Sequence, residues 1–110
     1  MGIERRVMPR IATSLAIAFK SSGEFTYSYM MNLSSGGLFI KTDKPLLIDA
    51  ELEMSIQMPD DPEILHIRGR VVWTKPQAHA FPAGMGIQFI GLPPEYLKKI
   101  QSFVERSLGK

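Results

Sequence analysis

Apolar and polar positions alternate with period two through most of this chain, in six runs separated by turn residues. In the first, Ile11, Thr13, Leu15, Ile17 and Phe19 share one face and Ala12, Ser14, Ala16 and Ala18 the other. Ser21-Ser22-Gly23 reads as a turn, after which Phe25, Tyr27, Tyr29, Met31 and Leu33 carry the period against Thr26, Ser28, Met30 and Asn32. Leu38-Phe39-Ile40 makes a short third run. Leu52, Met54, Ile56 and Met58 alternate with Glu51, Glu53, Ser55 and Gln57 in a fourth, closed by Pro59-Asp60-Asp61-Pro62. A long fifth run sets Leu65, Ile67, Gly69, Val71 and Trp73 against His66, Arg68, Arg70 and Val72, and a sixth sets Met85, Ile87 and Phe89 against Gly84, Gly86 and Gln88. Six consecutive strands joined by turns predict a mainly β fold, an antiparallel sheet curled into a six-stranded barrel over 11–91.

The period changes once. Pro93-Pro94-Glu95 opens a segment in which Tyr96, Leu97, Ile100, Phe103 and Val104 form one apolar stripe opposed by Lys98, Lys99, Gln101 and Glu105. Prolines in the first turn, an early carboxylate, Arg106 in the last turn and Gly109 beyond it predict one C-terminal helix over 93–108, docked on the barrel. At the other end, Pro9 disfavours helical geometry at Met8, so 1–10 is expected to be a flexible basic arm. The whole chain, 1–110, reads as a single domain.

The register of the first two strands decides what meets what. Bringing their bulky faces together pairs Arg10 with Ser34 and Ala12 with Asn32, which places Arg10, Asn32 and Ser34 on one solvent-facing surface at the open end of the hairpin. Residues more than twenty apart in sequence are thus expected to converge.

Composition narrows the chemistry. With 110 residues, 45% hydrophobic and 22% charged, the chain fits a soluble globular domain. It has no cysteine, which excludes disulfides, thiolate zinc sites and thiol nucleophiles, and fits a reducing, cytoplasmic setting. The net charge of +2 is too small to argue for nucleic acid as a partner, yet Arg5, Arg6 and Arg10 crowd into the first ten positions. Arg5-Arg6 before Ile11 to Phe19 imitates a secretion signal, but Thr13 and Ser14 interrupt the apolar run and no small-residue cleavage site follows, so neither a leader nor membrane insertion is expected. His66 and His79 do not have the spacing of metal ligands, and Asp60 and Asp61 sit in a proline-bounded turn. No catalytic group, metal or cofactor is expected.

What remains is recognition of anions and purines. Arg6 and Arg10 would stand about 13 Å apart on an extended chain, and a guanidinium can both fork onto a phosphate or the O6/N7 edge of guanine and stack on a purine ring. In Asn32-Leu33-Ser34-Ser35-Gly36-Gly37, the Asn32 amide and Ser34 hydroxyl fall at strand spacing, and Gly36 and Gly37 leave the backbone open to close approach. Taken alone, that cluster is first of all a turn between strands. Combined in this order with the arginine pair on one hairpin face, it should be about a one-in-a-hundred coincidence.

These residues resemble the PilZ domain family, whose motifs are RxxxR and [DN]xSxxG on a six-stranded barrel with a C-terminal helix. Arg6 and Arg10 match the first motif, with Arg5 at its commonly basic preceding position, and Asn32, Ser34 and Gly37 match the second. Gly69-Arg70-Val71-Val72-Trp73 and Gly84-Met85-Gly86-Ile87-Gln88-Phe89 are similar to the family's later strands. The resemblance implies a bacterial receptor for the second messenger cyclic di-GMP, acting in signal transduction. Arg6 and Arg10 would hold phosphate and guanine, Asn32 and Ser34 would read a guanine edge, and Gly36 and Gly37 would allow close contact. Arg5 implies two intercalated messenger molecules, and a lone receptor implies an effector protein downstream. The alternative is a PilZ-like adaptor that works through protein contacts without nucleotide. A third reading, single-stranded RNA on the Arg68/Arg70 face, lacks the exposed aromatics such a platform needs.

Overall fold

The computed structural model describes residues 9–78 and 82–109. Its strands are β1 (Arg10–Ala12), β2 (Ala16–Lys20), β3 (Thr26–Ser34), β4 (Gly37–Lys41), β5 (Glu51–Gln57), β6 (Ile64–Lys75) and β7 (Gly84–Ile90), followed by helix α1 (Pro94–Leu108). All pairings are antiparallel, and the order β3-β2-β5-β6-β7-β4 closes on itself through the pairing of β4 with β3. The barrel therefore has six strands. The additional strand, β1, comes from the first apolar run: it is broken at Thr13 to Leu15, and both pieces pair with β3.

That break corrects the expected alternation of β3. At one end Arg10 faces Ser34 and Ala12 faces Asn32, the expected register, but beyond the break Ala16 faces Tyr29 and Ala18 faces Tyr27. The register has slipped by one residue, and a one-residue slip exchanges the two faces of a strand. Leu33 stays inside, whereas Tyr27 and Tyr29, expected in the core, lie 79% and 56% exposed and Met30 is completely buried in their place. Chemistry favours the exchange, because methionine fills an apolar core without leaving a hydroxyl to satisfy, and a tyrosine keeps its hydroxyl in water.

A second irregularity does the same to β6. Val71 pairs with Ile87 but Trp73 pairs with Gly86, so Val72 is an extra residue, a β-bulge. Val71 is buried; Trp73, also expected inward, is 46% exposed. The remaining inward positions form one contiguous core, including Ile17, Phe19, Leu33, Leu38, Ile40, Met54, Ile56, Leu65, Ile67 and Met85.

Helix α1 packs against β1 and β3. It buries Ile100 and Val104, with Tyr96 and Phe103 half-buried beside them, as the stripe requires. Its last turn ends with the Gly109 N–H donating to the Glu105 carbonyl at 2.9 Å. On its outer side the Lys99 ammonium donates to Asp61 and lies 3.2 Å from Glu63, tying the β5–β6 turn to the helix.

Candidate functional site

Because β1 pairs with the last three residues of β3, Arg10, Asn32 and Ser34 come together at one end of the barrel wall. The Arg10 guanidinium donates through Nη1 to Asn32 Oδ1 and through Nη2 to Ser34 Oγ, the latter at 3.3 Å. Ser34 is only 2% exposed. Its hydroxyl accepts from the Gly36 N–H at 3.2 Å, donates to the Gly37 carbonyl at 3.3 Å and accepts from Arg10, which uses its one donor and both acceptor positions. Ser34 therefore frames the β3–β4 turn and parks the arginine. It can meet a ligand only by giving up one of these bonds.

The glycine pair has a similar structural basis. A Cβ on Gly37 would lie 2.0 Å from the Ile87 carbonyl oxygen, so the bare backbone there admits the neighbouring strand β7. The Gly36 carbonyl accepts from the Phe89 N–H at 3.0 Å. Both glycines nonetheless border an open pocket of about 570 Å³, lined also by Arg10, Ser34, Trp73 and Gln88. That volume lies within the usual range of small-molecule sites, roughly 300–1,000 Å³. Of the two grooves on the side of Tyr27 and Tyr29, one is slightly smaller at about 520 Å³ and one larger at about 770 Å³, but neither is lined by an arginine. Arg5 and Arg6 lie outside the described residues.

Sequence reasoning missed Trp73 and Gln88. Period two put Trp73 in the core, and only the bulge at Val72 brings it to the outer face. Its ring stacks on Phe39, with centroids 5.0 Å apart and planes inclined by 23°. The available signal was the Gly84-x-Gly86 spacing: two glycines on an outer face leave a trough that a large side chain must cover. Gln88 stood on the correct face, with nothing in the sequence to join it to the arginine. Arg68, on the outer face of β6, is paired with Glu51 at 2.5 Å, which reduces the basic character of the face an RNA strand would use.

The model of the PilZ domain family matches residues 4–106. The chain belongs to the PilZ family. No curated protein sequence matches it. Among solved structures, this PilZ chain is similar to the Bacillus subtilis inhibitor of motility MotI/DgrA, with a TM-score of 0.81 and 18% identity over 98% of this chain and 54% of that one. It is similar to the PilZ domain of Escherichia coli YcgR, solved with c-di-GMP, with a TM-score of 0.75 and 15% identity over 96% and 95% of the two chains. Borreliella burgdorferi PlzA, in complex with c-di-GMP, gives 0.67 and 18% over 91% of this chain and 41% of that one. The chain thus spans about half the length of the first of these relatives. At such identities the structural matches establish the PilZ fold.

Proposed function

We propose that this PilZ chain is a receptor for cyclic di-GMP and that the pocket between Arg10 and Trp73 is its site. The observation that carries the reading is the Arg10 guanidinium held on Asn32 and Ser34 at the edge of that pocket. A guanidinium held on neutral acceptors is ready to exchange them for an anion, since a charge-assisted bond to phosphate is about twice as strong as a neutral one. Release of Arg10 frees an acceptor on Ser34 and the Asn32 Oδ1, so the groups that held the arginine then face a guanine edge with its N–H donors. Trp73 offers a flat apolar surface for the purine ring, and Arg6 would add a second guanidinium to the ligand. The PilZ relatives solved with c-di-GMP support the choice of ligand.

The role this reading gives the chain is that of a receptor that binds the messenger. Among the described residues no group of three or more His, Cys, Asp or Glu side chains could hold a metal, and no helix is long and apolar enough to cross a membrane. The messenger acts as a ligand, and a basic residue at Arg5 favours two intercalated molecules. The output runs through an effector protein that distinguishes the ligand-bound from the ligand-free form. A cytoplasmic location accords with a soluble second messenger.

Isothermal titration tests the reading. The chain should bind cyclic di-GMP at micromolar concentration or below and prefer it to cyclic di-AMP, and the Arg6→Ala/Arg10→Ala pair should bind at least tenfold more weakly, about the loss of one charge-assisted contact. Two ligands per chain would establish the intercalated pair. Normal binding by the double variant would refute the site. Capture of one partner equally with and without the messenger would favour the adaptor.

A further inference from the structure

One cross-strand row on the outer wall joins Asn32 to residues outside both motifs. The register places Asn32 opposite Phe39, Phe39 opposite Gly86, and Gly86 opposite Trp73, in a line across β3, β4, β7 and β6. Neighbouring strands are about 4.8 Å apart, so Asn32 and Trp73 sit at the two ends of a row roughly 14 Å long. Phe39 and Gly86 occupy the positions between.

Phe39 belongs to the outer face yet is only 5% exposed. It is covered by Trp73, whose ring stacks on it across the empty Cβ position of Gly86. A Cβ on Gly86 would lie 2.2 Å from the indole Nε1 and 2.4 Å from Cε2, so only glycine lets the indole lie down on the sheet. The same trough continues under Phe39, where a Cβ on Gly84 would come 2.2 Å from Cζ. The Lys75 ammonium, 5.7 Å from the Phe39 ring centroid, holds that ring by a cation–π contact. Trp73 is thus supported beneath by glycine and on one side by a buried ring, with its remaining surface lining the pocket that Arg10 borders.

We propose that Phe39, acting over Gly86, is a positioning residue that fixes the Trp73 indole as a preformed stacking plate for a purine base of the ligand. The proposal rests on the cyclic di-GMP reading above. An unsupported tryptophan on a barrel rim would sample several rotamers and lose that freedom only on binding, which weakens affinity; the brace removes the loss beforehand. Phe39 itself touches no ligand.

Trp73 is the single tryptophan, so near-ultraviolet circular dichroism reads its immobilisation directly. In Phe39→Leu the Trp73 band should collapse, and the dissociation constant for cyclic di-GMP should rise about three- to tenfold, the scale of one aromatic pair, with stoichiometry unchanged. Phe39→Tyr, which keeps the ring, should restore both. Gly86→Ala attacks the same geometry from below and should reproduce both losses, which keeps the test decisive if Phe39→Leu fails to fold. A brace important only for stability would lower the melting temperature and leave titrations of folded chain unchanged. Either that result or an unaltered Trp73 band in Phe39→Leu overturns the proposal. Absence of binding by the unmodified chain would instead overturn the ligand reading and the stacking role with it, while the Trp73 band still decides whether Phe39 holds the indole.

Discussion

Ser34→Ala removes one oxygen and breaks three interactions. The hydroxyl is 2% exposed, accepts from the Gly36 N–H, donates to the Gly37 carbonyl and holds Arg10. The Arg10 bond joins an exposed side chain that water can serve equally well, so its loss costs little. The two backbone bonds are different, because they satisfy polar groups in a turn closed on one side by β7. Stranding a buried donor or acceptor costs about 1–3 kcal/mol, and with Gly36 half-buried the lower part of that range applies, about 1–2 kcal/mol. For a domain near 100 residues, each kcal/mol moves the melting midpoint by about 4–8 °C. Urea denaturation followed by circular dichroism should therefore show a lower midpoint at unchanged slope, and thermal melts a fall of about 5–15 °C. A loss below about 0.3 kcal/mol would refute the reasoning, since it would mean that the hydroxyl contributes no net stability to the turn.

Other consequences are separately measurable. Met30→Ala should cost about 2–5 kcal/mol whereas Tyr29→Thr should stay within about 0.5 kcal/mol, a contrast in chemical denaturation that reverses if the tyrosines face the core. Asp49 has φ +76° at the third position of the turn closed by the Ala50 N–H to Leu47 carbonyl bond, a place suited to glycine, so Asp49→Gly should raise stability by about 0.5–1 kcal/mol; an unchanged or lower midpoint would contradict it. The Lys99 ammonium, followed by the Glu63 N–H, holds the Asp61 carboxyl below the usual carboxylate range, while Asp61, followed by Glu63, raises Lys99. The Asp61 contribution is therefore present above its unfolded pKa and lost as pH falls below about 4, and the Lys99 contribution is present below its unfolded pKa and lost as pH rises beyond about 10.5. Melting temperature against pH should show both limbs, and Asp61→Asn should flatten the acid one; superimposable acid limbs would rule the pair out as a cause.

The fold was legible in the sequence because its strands are half-buried and alternate cleanly, as from Leu52 to Met58, and because the helix carries a single stripe. The pairing of Arg10 with Ser34 and of Ala12 with Asn32 followed from the same rule. What alternation could not show is where it skips. One slip beyond Ala12 put Tyr27 and Tyr29 outside and Met30 inside, and one extra residue at Val72 turned Trp73 from the core to the pocket rim. Bulges concentrate near binding sites because they re-aim a side chain locally, so period-two reasoning fails at the proposed site. The functional weight of Gly37 and Ser34 also shifted: their positions were readable, but the packing of Gly37 against Ile87 and the saturation of the Ser34 hydroxyl depend on strands distant in sequence.

The location of the site is tested most directly by titrating cyclic di-GMP into isotope-labelled protein and following amide and side-chain resonances. The shifts should concentrate on Arg10, Asn32, Ser34, Gly36, Gly37 and Gln88 and on the Trp73 indole N–H, leaving Tyr27, Tyr29 and Ile64 unmoved. Shifts confined to the groove beside Tyr27 and Tyr29, with Arg10 and Trp73 unaffected, would contradict the account.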